Sequence, residues 1–209
     1  MNLTIPEAAT GAVVLIRHSV ASKKGMDANR ALSPQGRELC RRAAGYWQMI
    51  RQQLAVRFGD PDYFHSPLPR ALVTLWELFG AEVMISDNRL GLHVTTTIAG
   101  GGQWFAEQVA KNRNVLDIVR EFVVTPELHD GQDVAGGTQK YEGFMLDQAD
   151  HLAVAVCHEP LISLTAHWFG SPDDQLGLNE CEGVVFFTGT RDGQAVVISA
   201  QKIIPVLSA

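Results

Sequence analysis

The stretch Ala12-Val13-Val14-Leu15-Ile16, followed at once by Arg17-His18, decides the fold class of this chain. A second apolar run, residues 152–156, leads in the same way into Cys157-His158-Glu159. Continuous apolar runs of this length are typical of strands that are buried on both faces of a parallel sheet. The carboxyl ends of such strands form the binding crevice of open α/β proteins, so we expect His18 and His158 to share one site.

The rest of the chain alternates between helical and extended patterns. Ser33-Pro34 predicts a helix start with Ser33 as the N-cap, and an apolar stripe continues to about Phe58, where Gly59-Asp60-Pro61 ends the helix. We further predict strands at 62–65, 83–85 and 152–157, helices at 69–79, 103–122, 138–148 and 160–169, an extended segment at 94–98, and a closing strand pair at 183–188 and 194–199. This order predicts an α/β fold whose mostly parallel sheet is covered on both faces and has an antiparallel edge.

Length and composition favour one domain that spans residues 1–209, with residues 86–137 as its most irregular part. The 46% hydrophobic and 19% charged content is typical of a soluble globular protein. The formal net charge of -6 argues against nucleic acid or an anionic membrane as a partner, because both usually require a basic surface.

The cysteines Cys40, Cys157 and Cys181 have no CxxC spacing and predict neither a disulfide framework nor a zinc site. We interpret Cys157, at the end of a buried run, as a core residue rather than a nucleophile. The N-terminal residues lack the basic and apolar regions of a signal peptide, and no apolar run approaches the ~20 residues of a membrane span. These features predict a reducing, cytoplasmic location.

The residue types at the strand ends indicate phosphate chemistry. Between the two histidines, Ser66-Pro67-Leu68-Pro69-Arg70 adds a second guanidinium to that of Arg17. The planar guanidinium binds two phosphate oxygens at once, and a neutral imidazole is a suitable acceptor for a phosphoryl group near pH 7. Two histidines and two arginines at one crevice therefore predict a phosphoryl pocket that needs no metal ion or other cofactor.

Four segments carry a resemblance to a known family. They are Leu15-Ile16-Arg17-His18-Ser19, Arg30-Ala31-Leu32-Ser33-Pro34-Gln35-Gly36-Arg37, Ser66-Pro67-Leu68-Pro69-Arg70-Ala71-Leu72-Val73-Thr74 and Val156-Cys157-His158-Glu159-Pro160. In this order and spacing the chain resembles the histidine phosphatase (phosphoglycerate mutase-like) superfamily, and most of all its small phosphohistidine phosphatases of the SixA type.

The resemblance implies a three-layer α/β/α fold in which His18 becomes phosphorylated. It also implies that Arg17, Arg70 and His158 complete the phosphate pocket. Arg30 is either a further phosphate contact or a solvated loop charge. Ser19 stands where the family most often has glycine, and its hydroxyl is a candidate phosphate ligand.

The general acid is the least determined part of the site. Many members of the superfamily place a carboxylate in the segment that corresponds to residues 88–95, and this chain has none there. Another branch uses an acidic residue directly after the second histidine, which implies Glu159. His93, Glu127 and Asp130 are the alternatives.

The leading hypothesis is a phosphatase that works through a phosphorylated His18 on a phosphomonoester or phosphohistidine substrate, with a phosphorylated small molecule or a phosphohistidine protein as its partner. The rival is a degenerate member that binds phosphate or a phosphoprotein without turnover, because Ser19 and the missing carboxylate depart from the family pattern. A structural or interaction module with an empty pocket is the third reading. Substrate identity and oligomeric state are open at this point.

Overall fold

A computed structural model describes most of the chain. The described residues are 3–22, 29–91, 107–108, 110–111, 113–125, 131–172 and 176–208. The extended segment predicted at 94–98 and the residues His93, Glu127 and Asp130 lie outside them. Among the described residues, no helix is both long and apolar enough to cross a membrane.

In the described residues, six strands form one sheet. They are β1 (Gly11–Arg17), β2 (Asp62–His65), β3 (Ile85–Ser86), β4 (Leu152–Cys157), β5 (Gly183–Arg191) and β6 (Gln194–Ile203). Their order across the sheet is β3-β2-β4-β1-β5-β6, in which β3, β2, β4 and β1 run parallel while β5 pairs antiparallel with both β1 and β6. The predicted mostly parallel sheet with an antiparallel edge is confirmed.

Five α-helices of at least eight residues accompany this sheet in the described part of the chain. They are α1 (Pro34–Phe58), α2 (Pro69–Phe79), α3 (Val115–Val124), α4 (Gly131–Asp147) and α5 (Leu161–Trp168). The N-cap prediction for α1 is confirmed, because the Ser33 side chain accepts a hydrogen bond from the Gly36 N–H at 3.0 Å. Gly59, with a φ of 83°, follows the last residue of this helix.

Alternate side chains of β1 enter two different cores, which accounts for its unbroken apolar sequence. Val13 and Leu15 pack with residues of α3, α4 and α5, whereas Val14 and Ile16 pack with residues of α1 and α2. A strand covered on both faces has no position for a polar side chain before its end. The result is the predicted α/β/α arrangement, with polar residues only where β1 leaves the sheet.

Several element boundaries differ from the prediction, and β5 and β6 end at 191 and 203 rather than at 188 and 199. The strand predicted at 83–85 is β3 at 85–86, since it is Ile85 that pairs with Phe64 of β2. Within the helix predicted at 103–122, residues 107, 108 and 110 are helical, and α3 begins only at 115, where the Asn114 side chain caps the Leu116 N–H at 2.8 Å. Helix α4 starts at 131 rather than 138, although glycine in a helix costs about 1 kcal/mol per residue. Burial of Tyr141, Phe144 and Met145 farther along α4 stabilises the helix against that cost.

Candidate active site

The sheet order places the two predicted histidines side by side. Arg17, the last residue of β1, is in register with Cys157, the last residue of the parallel neighbour β4. The His18 N–H continues this ladder by donating to the Cys157 carbonyl at 3.1 Å. His18 and His158 therefore leave adjacent strands at the same level, and their ring centroids lie 5.0 Å apart in an edge-to-face arrangement.

The hydrogen bonds of His18 define which ring nitrogen carries the proton. Nδ1 lies 2.7 Å from the Ser19 carbonyl oxygen, which can only accept, so the proton is assigned to Nδ1. Nε2 then carries the lone pair, and the Arg70 Nε–H donates to it at 3.1 Å. His18 is thus held in the tautomer that a nucleophilic Nε2 requires.

The surroundings of His18 keep its imidazole neutral. Burial is the largest influence and lowers its pKa from 6.5 to about 3, against a smaller opposing effect of the hydrogen bond to Ser19. The positive charges of three arginines, Arg70, Arg17 and Arg30, lower this pKa further. Arg30 also lowers the pKa of Arg70, which burial brings down to about 10. All three predicted arginines therefore act electrostatically on the same imidazole.

Helix α2 supplies both a guanidinium and a support for the loop that follows β1. Arg70 lies in its first turn and is buried, with 3% of its surface exposed. One turn later the Thr74 hydroxyl donates to the Arg70 carbonyl at 2.8 Å and accepts from the Ser19 N–H at 3.0 Å. Thr74, which sequence analysis placed in a motif without a role, fixes the helix and the loop relative to each other.

Ser19 is fully buried, and its hydroxyl donates to the Gly36 carbonyl of α1 at 2.8 Å. The predicted contact of this hydroxyl with a phosphate oxygen would require that bond to break. In the structure Ser19 instead anchors the loop to α1. The neighbouring Val20 carbonyl strengthens this junction by accepting from the Ser33 N–H at 2.9 Å.

His158 is buried and pairs with a residue that sequence analysis did not assign. Its Nε2 lies 2.6 Å from the hydroxyl of Ser66, which also accepts from the Leu68 N–H at 3.3 Å. Ser66 follows β2, and β2 is the other neighbour of β4, so the two residues emerge on adjacent strands. The position of Ser66 directly after an extended run was the available signal, but its partner depends on strand order.

Arg17 points toward the turn that precedes β5. Its guanidinium donates to the Leu178 carbonyl and to Glu180 Oε1, the latter at 3.2 Å. Its backbone is tied to the same turn, because its N–H donates to the Glu182 carbonyl at 2.9 Å and its carbonyl accepts from the Cys181 N–H at 3.1 Å. The turn had no predicted role, and no local sequence signal marks it as a partner of Arg17.

The Glu159 carboxylate accepts hydrogen bonds from two structural elements. Its Oε1 accepts from the Ser163 hydroxyl at 2.6 Å and from the Leu178 N–H at 2.8 Å, while Oε2 accepts from the Ser163 N–H at 3.3 Å. Burial raises the pKa of its carboxyl, and the hydrogen bonds to Ser163 oppose that rise. The described contacts link this carboxylate to α5 and to the turn before β5 (residues 178–182, the Leu178 turn), and none of them joins it to His18.

Comparison with solved structures identifies similar folds. The chain resembles the protein histidine phosphatase SixA complexed with tungstate, at 13% identity and a TM-score of 0.53 over 91% of this chain and 96% of that one. It resembles a histidine-to-alanine variant of phosphoserine phosphatase from Entamoeba histolytica in complex with phosphoserine, at 20% identity and 0.56 over 91% and 96%. It also resembles a mycobacterial glucosyl-3-phosphoglycerate phosphatase, at 22% identity and 0.57 over 95% and 100%.

Sequence comparisons alone give no such match: no family model fits the chain, and no curated protein is detectably similar. At 13–22% identity, the likeness to the three solved structures concerns the fold. It covers nearly the whole chain, and the SixA type is among the matches, as the sequence motifs predicted. The resemblance found in the sequence is confirmed at the level of fold.

Proposed function

We propose that this chain, which has the fold of the histidine phosphatase superfamily, is a phosphatase that transfers a phosphoryl group first to His18 and then to water. The observation that carries the proposal is the hydrogen bond of 3.1 Å from Arg70 Nε to His18 Nε2. A bound phosphoryl group would replace this bond, because its oxygens take the Arg70 donor while its phosphorus faces the freed lone pair of Nε2. His18, as the nucleophile, and Arg70, as the ligand of the anion, then both contact the phosphoryl group.

Positive charge supports the transfer. The arginines Arg17, Arg30 and Arg70 all act on His18, and His158 lies beside it. In phosphoryl transfer the developing charge is spread over the equatorial oxygens, so fixed cationic donors stabilise the transition state without rearranging. We propose that these side chains supply the charge without a metal ion or other cofactor.

The reaction has two steps. His18 Nε2 attacks phosphorus, a P–N bond forms, and the bond to the leaving group breaks as that group takes a proton from a general acid. Water then attacks the phosphohistidine, gives its proton to the same group and releases inorganic phosphate. The family resemblance makes Glu159 the candidate general acid, and the raised pKa of its carboxyl supports a protonated form. Its three hydrogen-bond donors count against that role.

The same pocket supports a proposal for the substrate class. We propose a phosphomonoester or a phosphohistidine, carried by a phosphorylated small molecule or by a phosphohistidine protein. A phosphoramidate has the better leaving group and would depend less on the general acid. We further propose a cytoplasmic location, with neither nucleic acid nor a membrane as a partner, in line with the net charge of -6.

The test is phosphate release from p-nitrophenyl phosphate and from a phosphohistidine donor, with EDTA present, for the wild type and His18→Ala. We expect turnover by the wild type and none by the variant, together with one trapped phosphoryl group per wild-type chain. Equal trapping on both proteins would refute the assignment of the nucleophile.

A phosphate-binding protein without turnover is the second candidate, and one observation favours it. The guanidinium of Arg17 is already engaged by Leu178 and Glu180, so a substrate must displace or share these contacts. This candidate predicts that phosphate and tungstate raise the melting temperature while neither substrate is hydrolysed. Turnover that His18→Ala abolishes would exclude it.

A further inference from the structure

Two thiols lie in contact behind the loop that carries His18. Cys40 belongs to α1 and Cys181 to the turn before β5, and their Sγ atoms are 3.8 Å apart. Both side chains are buried, at 0% and 1% exposure. The Ser19 side chain acts to lower the pKa of both thiols, so the thiol pair lies beside the residue that follows the proposed nucleophile.

The backbone of Cys181 connects the thiol pair to the phosphate pocket. Cys181 has a φ of 64°, its N–H donates to the Arg17 carbonyl at 3.1 Å, and its own carbonyl accepts from Trp47 Nε1 at 2.8 Å. A disulfide requires the sulfurs to approach from 3.8 Å to about 2.05 Å. Such an approach would draw the turn that contains Cys181 toward α1 and shift the anchor of Arg17.

We propose that Cys40 and Cys181 form a reversible disulfide when the protein meets hydrogen peroxide, and that this bond inactivates the phosphate pocket. Formation of the bond does not depend on the function proposed above, whereas the loss of activity rests on it. Nearby donors, led by the Cys181 thiol, lower the pKa of Cys40, which makes Cys40 the attacking sulfur.

The chemistry balances with peroxide as the only oxidant. The Cys40 thiolate attacks one peroxide oxygen, the O–O bond breaks, and sulfenic acid forms as hydroxide takes up the thiol proton to give water. The Cys181 sulfur then attacks the sulfenic sulfur, the S–S bond forms and a second water leaves. Two thiols lose two electrons, and one peroxide is reduced to two waters.

Cys157 is an internal control in the same molecule. It is as buried as the other two thiols, and burial raises its pKa to about 12. Its side-chain neighbour among the titratable groups is Tyr141 rather than a second sulfur. We therefore expect Cys157 to remain a thiol under conditions that oxidise the pair.

The experiment treats the wild-type chain with hydrogen peroxide, denatures it in acid and alkylates the remaining thiols. We expect alkylation to fall from three thiols to one, with the label on Cys157, and a linked peptide that contains Cys40 and Cys181. Dithiothreitol should restore all three. Three alkylatable thiols after peroxide, or Cys40 recovered as sulfinic acid without the linked peptide, would overturn the proposal.

A second readout tests the effect on the pocket. Tungstate should raise the melting temperature of the reduced protein, and this shift should be lost after oxidation and regained with dithiothreitol. Cys40→Ser should keep the shift and no longer respond to peroxide, and Cys157→Ser should respond as the wild type does. A linked peptide without any change in the tungstate shift or in turnover would refute the switch while leaving the disulfide established. If turnover is absent from the reduced wild type, the proposed phosphatase function fails on its own, and the peptide map still decides the thiol proposal.

Discussion

Arg70 Nε donates to His18 Nε2 at 3.1 Å while His18 Nδ1 is held 2.7 Å from the Ser19 carbonyl. The two contacts determine both the tautomer and the charge of the imidazole. The carbonyl requires a proton on Nδ1, and the guanidinium requires a lone pair on Nε2. A second proton would place imidazolium against Arg70, in a site where burial already disfavours charge.

The first prediction concerns the titration of His18. Its pKa is lowered to about 3, so we expect its ring to remain neutral, with the proton on Nδ1, from pH 7 to pH 5. Imidazole ¹⁵N chemical shifts of the free protein measure this directly. A His18 titration midpoint between pH 6 and pH 7 would contradict the geometry.

The lowered pKa of His18 should also make the free energy of unfolding depend on pH. The unfolded chain takes up a proton on His18 near pH 6.5, whereas the folded chain does so only near pH 3. Between these values the unfolded state binds more protons, so the free energy of unfolding falls as the pH is lowered, by at most ~1.4 kcal/mol per pH unit for this one group. Urea unfolding of the wild type and His18→Gln should show a weaker pH dependence in the variant; parallel curves would exclude the effect.

The second prediction separates the guanidinium of Arg70 from its charge. Arg70→Lys keeps a cation but loses the planar fork and the Nε donor, so we expect kcat/KM to fall about ten- to a hundredfold, equivalent to roughly 1.5–3 kcal/mol. Arg41→Lys is the matched control, because Arg41 is exposed and pairs with Glu38. Equal activity of Arg70→Lys and the control would show that the guanidinium of Arg70 does not stabilise the transition state.

The third prediction concerns whether Glu159 donates a proton or positions the Leu178 turn. Ser163→Ala is the comparison variant for this question. The Ser163 hydroxyl donates to Glu159 Oε1 at 2.6 Å and accepts from the Gly177 N–H at 2.9 Å, so it joins Glu159 to the turn. If Glu159 is the acid, Glu159→Gln slows hydrolysis of phosphoserine more than that of a phosphohistidine donor, and Ser163→Ala leaves their ratio unchanged.

If Glu159 acts by positioning, both variants slow both substrates by the same factor and weaken tungstate binding. The hydrogen bonds of the structure lead us to expect this second result. The ratio of the two kcat/KM values for each variant decides the question. A selective loss on phosphoserine in Glu159→Gln alone would instead establish the proton donor.

The parts of the site that could be predicted from sequence are those determined by the chain's local pattern. Two unbroken apolar runs end in His18 and His158, and burial of both strand faces leaves these positions as the first available to polar groups. Adjacency of β1 and β4 then brings the rings to 5.0 Å. The N-cap at Ser33 could be predicted for the same reason, since its hydrogen bond to Gly36 spans only three residues.

The parts that could not be predicted depend on which distant segments become neighbours. Ser66 meets His158 only because β2 lies next to β4, and the Leu178 turn meets Arg17 across 161 residues of chain. The contact between Cys40 and Cys181 spans 141 residues. No local periodicity encodes such pairs, because they depend on the order of the strands and on how helix α1 packs against the sheet.

The last prediction concerns two glycines of the same helix. A Cβ built on Gly36 would lie 2.2 Å from the Val20 carbonyl oxygen, in the loop that carries His18, whereas a Cβ on Gly45 would meet nothing within 4 Å. Gly36→Ala must therefore displace the loop and disturb the Ser19 bond to the Gly36 carbonyl. We expect it to lower the free energy of unfolding by roughly 1–3 kcal/mol and to weaken tungstate binding.

Gly45→Ala should raise stability by about 0.5–1 kcal/mol, because alanine is the better helix former, and leave tungstate binding unchanged. Urea unfolding with and without tungstate measures both effects. Equal behaviour of the two variants would mean that the close approach of α1 to the loop does not hold the phosphate pocket in place.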